Sequence, residues 1–273
     1  MSIDKNNENS LNLIPELATK LHKLTTNIKF NLIPDSIVEK FSKISENISA
    51  ITSPFYEWLQ SIDIPSIFKD GEPIRQKYER YLQLMYQAKW FPYVGWNADI
   101  SFFAEILNIF SQGEGISQRV VEKIDDTVTS YYSDKEIRLI KKDWQNLISD
   151  RVIKRIMFQA VNAYFRKEYA ITSITLSVLW QLLIYEKKGM SEKGRKDNET
   201  KEIYHSLVDE NNFSEPFKSY FDDFIMYECR NKNQVIPEVP GRNSNAHGWF
   251  SDYPKKKTAL NAIFLTHFIL NLK

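Results

Sequence analysis

The sequence contains a single cysteine, Cys229. This scarcity excludes an internal disulfide bond and a metal site built from several cysteines. Its 8 glycines are few for a β-rich or loop-rich protein of 273 residues. The 4 histidines are scattered and lack the His-x-x-His or His-Glu-x-x-His spacing of zinc sites. Glycine-rich phosphate loops and the Gly-x-Ser-x-Gly motif of serine hydrolases are also missing. We therefore expect no metal and no cofactor.

The charges nearly cancel, with 36 lysines and arginines against 35 aspartates and glutamates. A net charge of +1 creates no overall field that attracts nucleic acid or acidic membranes, so any nucleic-acid contact must come from a local patch. Residues 1–10 are polar, are not followed by a signal-like apolar block, and are expected to form a disordered tail. Together with the single cysteine, these features predict a cytoplasmic protein without a membrane partner.

Apolar residues recur every three or four positions along most of the chain, which predicts helices and an all-α fold. Two narrow apolar stripes, at 14–28 and 37–55, are separated by Pro34 and indicate a helical hairpin. This hairpin either packs on its own domain or forms a coiled-coil arm that binds another subunit. Further helices are predicted at 74–88, 100–110, 117–132, 135–147, 150–165, 171–185, 203–208 and 213–229.

Two glycines within Ser111–Ile116 mark the expected joint between two parts of the chain. An N-terminal helical region at about 11–112 would precede a C-terminal helical bundle at about 117–273. Between predicted helices, Lys187–Lys201 is rich in charge. We interpret it as a solvated linker or, if it faces the site described next, as lysines that hold a phosphate backbone. The aromatic cluster Trp90–Trp96 either plugs a gap between helices or forms a ligand platform.

The most informative stretch of the sequence is 237–271. It starts as a turn-rich polar segment that carries Arg242, Asn243 and His247. From Pro254 onward it is apolar on nearly every face, which predicts the buried central helix of a bundle. Proline is tolerated in the first turn of a helix, and Asp252 or Ser251 could cap it.

The run Val-Pro-Gly-Arg-Asn-x-x-x-His-Gly-Trp, followed by Tyr-Pro-x-Lys-Lys-x-Ala-Leu-Asn-Ala-Ile, resembles the C-terminal end of HEPN-superfamily proteins. The signature of that superfamily is Arg, four to six residues, then His, usually with a polar residue after the Arg. Many bacterial members are abortive-infection or toxin-like ribonucleases. The resemblance implies a HEPN-like bundle at 117–273, with Arg242, Asn243 and His247 at its site.

A second segment also resembles the front helices of HEPN-type proteins, namely residues 155–164 paired with 169–180. The resemblance implies an acidic residue near the end of the second of these helices. Here the nearest positions hold Gln181 and Glu186. Any supporting carboxylate from this helix is therefore in question.

Arg242 and His247 suit the cleavage of RNA through its own 2′-hydroxyl. Histidine transfers protons near neutral pH, and the planar guanidinium of arginine stays charged and binds two phosphate oxygens. Asn243 could orient either group. The resemblance implies metal-independent cleavage that leaves a 2′,3′-cyclic phosphate, and a homodimer in which two Arg–His sets face each other. Possible RNA contacts are Lys193, Arg195, Lys196, Lys255 and Lys256.

Other interpretations remain open at this point. The chain could be a non-catalytic HEPN-like module that binds RNA, a nucleotide or a partner protein, or a helical scaffold that uses 14–55. A protein partner or an antitoxin is a further possible partner of the enzyme. His247 could also simply bond a backbone carbonyl at the end of the preceding turn, whereas His267 is expected to be a core histidine. A catalytic role predicts that Arg242 and His247 are exposed in one cleft, near a two-fold axis.

Overall fold

Residues 74–92, 100–111, 116–190, 196–211 and 213–273 are described by the computed structural model. Within these ranges the protein is helical and contains no strand, which confirms the all-α prediction. The expected disordered tail at 1–10 and the predicted hairpin at 14–55 lie outside the described residues. None of the described helices is long and apolar enough to cross a membrane.

Ten α-helices follow one another along the described chain, and most match a predicted segment closely. Their bounds are α1 Ile74–Gln87, α2 Ile100–Ser111, α3 Gln118–Tyr131, α4 Asp134–Leu147, α5 Arg151–Phe165, α6 Tyr169–Lys187, α7 Asp197–Glu210, α8 Glu215–Tyr220, α9 Arg242–Ala246 and α10 Lys256–Asn271. A π-helical turn, Phe221–Ile225, continues α8, and a 3-10 turn lies at Lys232–Gln234.

Helix α10 is the core of the bundle, as its uniformly apolar sequence predicts. Every side chain from Lys257 to Leu270 is buried. The helix begins at Lys256, two residues later than expected, so the prediction of a start at Pro254 with a cap from Asp252 or Ser251 is wrong. The reason is local: Lys255 is still extended, and the Asp252 carboxylate accepts a hydrogen bond from the backbone N–H of Tyr253 instead.

Helices α5 and α6 pack beside α10, and buried polar contacts tie α6 to each of the other two helices. The indole N–H of Trp180 donates to Thr266 Oγ1 at 2.8 Å, and Thr172 Oγ1 donates to the carbonyl of Ala160 at 3.0 Å. Asp150 caps α5 as predicted, accepting from the N–H groups of Val152 and Ile153. These bonds fix the two helices that support the candidate site.

The helices before residue 112 share the core of the helices after it. Trp90 and Phe91 are fully buried, and the ring of Phe91 meets that of Phe268 at 5.2 Å. The backbone N–H of Phe91 donates to Asn261 Oδ1 at 2.7 Å. These two aromatic residues therefore fill the core, as one of the two interpretations expected. Residues 74–92 and 100–111 are not separated from the bundle at the joint expected within Ser111–Ile116.

The charged segment Lys187–Lys201 is only partly a linker. Helix α6 extends to Lys187, and α7 already begins at Asp197 instead of near Ile203. Asp197 and Glu199 lie in the first turn of α7, where acidic side chains stabilise the positive end of the helix dipole. This early start places a carboxylate close to α6, with consequences for the site.

Candidate functional site

The segment that carries the Arg–His motif forms a short helix, α9, rather than the polar turn expected. Two backbone bonds define it, from Asn245 N–H to Gly241 O at 3.0 Å and from His247 N–H to Asn243 O at 3.2 Å. The side chain of Asn245 anchors it to α6 by donating to Ser173 and Ser177 hydroxyls, each at 3.1 Å. The motif is therefore fixed against one of the two supporting helices.

Gly241 precedes α9 and Gly248 follows it, and glycine is required at the two positions for different reasons. A Cβ at Gly241 would lie 2.7 Å from a ring carbon of Tyr227 and 2.8 Å from Ser244 Oγ, so there is no room for a side chain. Gly248 has open space around it but a φ of +67°, which favours glycine. Close packing therefore requires glycine before α9, and a positive φ favours glycine after it.

Arg242 is held by three side chains. Its Nη1 donates to Asp197 Oδ1 at 3.0 Å and to Asn243 Oδ1 at 2.9 Å. Its Nη2 donates to Gln181 Oε1 at 2.6 Å. The amide N–H₂ of Gln181 in turn donates to Asp197 Oδ1 at 2.8 Å, which closes the network. Arg242 is consequently oriented and paired with a carboxylate, not freely exposed.

The carboxylate that pairs with Arg242 belongs to Asp197, a residue that the sequence did not identify as part of the site. The sequence placed Gln181, not an acid, where the resemblance expected one, and Gln181 does contact Arg242. The charge is supplied by Asp197, from the first turn of the next helix. The available signal was the pair of acidic residues after Lys196, which is typical of a helix start. That signal predicts α7 but gives no indication of its contact with Arg242.

Two donors of the Arg242 guanidinium are not used by the described residues. Arginine has five N–H groups, of which Asp197 and Asn243 occupy both on Nη1 and Gln181 occupies one on Nη2. The Nε–H and the second Nη2–H have no hydrogen-bond partner among residues the structure describes. Guanidinium N–H groups form strong, charge-assisted hydrogen bonds to phosphate oxygens.

His247 ends α9 and is exposed. Its ring stacks on Trp249 with centroids 4.6 Å apart, and in the described part of the chain no hydrogen bond of the ring is found. It is therefore not buried against a backbone carbonyl. Five positions of an α-helix correspond to a rotation of ~140°, so Arg242 and His247 leave α9 in different directions. No described contact joins their side chains.

The lysines predicted to contact RNA differ in their surroundings. Lys196 is exposed directly before Asp197, and Lys255 is exposed about 3.9 Å from the carboxylates of Glu238 and Asp252. Lys256 donates to the carbonyl of Thr129 at 2.7 Å and caps the end of α3. Lys193 and Arg195 lie outside the described residues.

Lys257 is a buried cation that the sequence reading did not single out. Its Nζ lies 2.7 Å from Asp125 Oδ1 and 3.3 Å from Glu238 Oε2, and it sits 5.4 Å from the centre of the Trp90 ring. Burial raises the pKa of Asp125, against the opposing effects of Lys257 and of the Trp90 N–H. Because Glu238 belongs to the turn that precedes α9, this cluster fixes that turn to the core.

His267 is a core histidine, as expected. The indole N–H of Trp144 donates to its Nδ1 at 3.1 Å, and burial lowers its pKa to about 4. Among the residues that the structure describes, no group of three or more His, Cys, Asp or Glu side chains could hold a metal ion. Comparison of the chain with family models, with curated proteins and with solved structures finds no match.

Proposed function

We propose that this protein is a metal-independent RNA endonuclease of the HEPN type, with Arg242 and His247 as its reacting groups. The observation that carries the proposal is the setting of Arg242. Asp197, Gln181 and Asn243 fix one part of the guanidinium, and two N–H groups have no partner among the described residues. An arginine held in this way keeps its direction while its remaining donors can bind two phosphate oxygens.

The reaction uses the 2′-hydroxyl of RNA as the nucleophile. A neutral imidazole accepts the 2′-proton while the 2′-oxygen forms a bond to phosphorus. The bond from phosphorus to the 5′-oxygen breaks, and a protonated imidazole gives that oxygen its proton. Arg242 stabilises the charge that builds on the phosphate oxygens in between. The products are a 2′,3′-cyclic phosphate and a 5′-hydroxyl end.

A single imidazole does not serve as base and acid at the same moment, so we assign the second role to His247 of the partner subunit in a homodimer. An exposed apolar stripe on α6 supports this arrangement. Ile171 and Val178 are 50% and 51% exposed and lie two turns apart on one helix face. Gln181, the next residue along this face, bonds Arg242. A dimer formed on this stripe would bring two motifs together.

The resemblance of 237–271 to abortive-infection and toxin-like ribonucleases supports a role in phage defence or in a toxin system. Lys196 and Lys255, both exposed, would contact the RNA backbone beside the site. Such contacts supply the local positive charge that the overall composition does not provide.

A second candidate function is a non-catalytic HEPN-like module that binds RNA, a nucleotide or a partner protein. The observation that favours it is the separation of the two motif residues. Within one chain Arg242 is paired with Asp197, whereas His247 contacts Trp249. A module that only binds needs no proton transfer and therefore no approach of the two side chains.

The test is cleavage of mixed tRNA and mRNA by the purified protein in EDTA, with Arg242→Ala and His247→Ala measured in parallel. We expect cleavage by the wild-type protein, cyclic-phosphate ends, and at least about a hundredfold loss in each variant. Activity that is equal in all three proteins would contradict the proposal. Activity in none of them, with the fold intact by circular dichroism, would favour the binding module.

A further inference from the structure

A cleft with a volume of ≈ 70 Å³ adjoins α9. It is formed by residues 235–239, part of α9, the segment 249–255 and Thr258. Neither Arg242 nor His247 lines it, but Trp249 does, and the ring of His247 stacks on Trp249. The cleft therefore adjoins the proposed catalytic histidine without being part of the Arg–His motif.

Asn245 lines this cleft, and the orientation of its side-chain amide is defined by its hydrogen bonds. Its side chain is only 6% exposed. The hydroxyl of Ser177 donates its single hydrogen to the carbonyl of Ile174, so toward Asn245 it can only accept. The N–H₂ group of Asn245 must consequently face the serines. Its Oδ1 points the other way and has no hydrogen-bond partner among the described residues.

Aromatic side chains line the same cleft. Trp249 and Phe250 are partly buried, whereas Tyr253 is 63% exposed. An exposed tyrosine beside a cleft offers a flat surface on which a planar ring can stack, and such stacking does not depend on which base is present. A volume of ≈ 70 Å³ is several times the ~10–15 Å³ that a cavity needs to hold one water molecule, so the cleft has room for part of a small planar ring.

The charges around the cleft favour a neutral ring over a phosphate. Glu238 and Asp252 both line it, and Lys255 lies about 3.9 Å from a carboxylate oxygen of each. Glu238 also pairs with the buried Lys257 at 3.3 Å, so each lysine near the cleft already has a carboxylate partner and the cleft offers little attraction to an anion. These carboxylates are compatible with a neutral ligand that donates hydrogen bonds, because carboxylate and amide oxygens are acceptors.

We propose that this cleft binds adenine or cytosine, whose exocyclic amino groups lie at the major-groove end of the Watson–Crick edge, with Asn245 Oδ1 accepting from that amino group and Tyr253 stacking on the ring. Uracil and guanine present a carbonyl oxygen where cytosine and adenine present the amino group, and that oxygen repels Asn245 Oδ1. The assignment of this base to an RNA chain rests on the proposed function, whereas the binding of the base is independent of that function.

The test uses mononucleotides, which have no phosphodiester to cleave. Calorimetric titration of the whole protein with cytidine and uridine 5′-monophosphates compares two ligands of almost identical shape. We expect the cytidine nucleotide to bind at least about tenfold more tightly. Asn245→Ala removes this preference, and Tyr253→Ala weakens both nucleotides by a similar factor of about ten. Val152→Ala, at an exposed residue of α5, is the control and changes neither affinity.

Equal affinity for the two nucleotides, no binding at millimolar concentration, or affinities unchanged by Tyr253→Ala would overturn the proposal. Tyr253 is exposed, so its replacement leaves the fold intact even if Asn245→Ala does not. His247→Ala should abolish RNA cleavage but keep the cytidine preference, which separates a failure of this proposal from a failure of the nuclease. A 2′-deoxy oligonucleotide that binds more tightly than the mononucleotide identifies a nucleic-acid strand as the source of the base. Equal binding identifies a free nucleotide.

Discussion

Asp197 and Arg242 are 45 residues apart in the chain, yet Oδ1 of the first lies 3.0 Å from Nη1 of the second. The contact joins the first turn of α7 to the first residue of α9. Gln181 of α6 bonds both partners and completes a triangle of three elements. The direction of the guanidinium is therefore set by residues outside the motif.

Replacement of Asp197 by asparagine should reduce RNA cleavage by about tenfold or more, because the guanidinium loses the group that orients it. The free energy of unfolding should change by less than about 1 kcal/mol, since the pair is partly exposed to solvent. Asp209→Asn is the matched control, because Asp209 also belongs to α7 and pairs with Lys218. Equal activity in the two variants would show that Asp197 does not position Arg242.

The apolar stripe on α6 leads to a prediction about assembly. Val178→Arg should convert a homodimer into a monomer in sedimentation experiments and abolish cleavage, because a charge cannot be buried at an apolar interface without a partner. Val152→Arg places the same charge at an exposed valine of α5 and should leave the dimer intact. A wild-type monomer that cleaves RNA would refute the two-subunit site.

Replacement of Lys257 by methionine should lower the free energy of unfolding by about 3 kcal/mol, because Asp125 and Glu238 lose the cation buried between them. Lys255→Met removes an exposed lysine that lies about 3.9 Å from the same Glu238, and should cost less than about 1 kcal/mol. Urea unfolding at neutral pH measures both. Similar losses in the two variants would mean that burial of Lys257 contributes little.

The two glycines around α9 should respond differently to substitution. Gly241→Ala should lower stability by about 1–3 kcal/mol and reduce cleavage, because the added Cβ displaces Tyr227 or shifts Arg242. Gly248→Asn should be tolerated, since asparagine adopts positive φ more readily than most residues and the space is open. Thermal unfolding and cleavage rates distinguish these cases, and a stable, active Gly241→Ala would contradict the packing argument.

His267 should make stability depend on pH. Its pKa is about 4 in the folded protein against 6.5 as the ordinary value, so the unfolded chain takes up a proton first as the pH falls. The free energy of unfolding should therefore fall by at most about 3 kcal/mol between pH 6.5 and pH 4. Above pH 6.5 the contribution of His267 to stability is fully present. Urea titrations of wild type and His267→Gln over this range test it. Parallel curves for the two proteins would exclude His267 as the cause.

Much of the fold could be predicted from local patterns. The periodic apolar residues of α5 predict that helix, Asp150 predicts its start, and the apolar faces of α10 predict its central position. These features depend on residues that are close in the chain. The late start of α10 could not be predicted, because Pro254 and Asp252 suit a helix start and a turn equally well.

The site was only partly predictable for a related reason. The sequence identifies Arg242, Asn243 and His247 as candidates, but not the pairing of Arg242 with Asp197, which depends on how α6, α7 and α9 meet. Nor does spacing reveal that α9 is helical, which sends Arg242 and His247 in different directions. The ion pairs of the buried Lys257 could not be predicted either, because the residues around a lysine in an apolar helix do not identify its distant partners.

The burial of α10 also has a consequence for the order in which the protein forms during synthesis. Because α10 follows the other described helices along the chain, the ribosome exposes Arg242 and His247 before the helix against which the bundle assembles. Until Lys257 emerges, Glu238 and Asp125 lack their shared cation. A nascent chain halted before Lys256 therefore carries the whole motif but lacks the buried helix around which the bundle that positions this motif assembles.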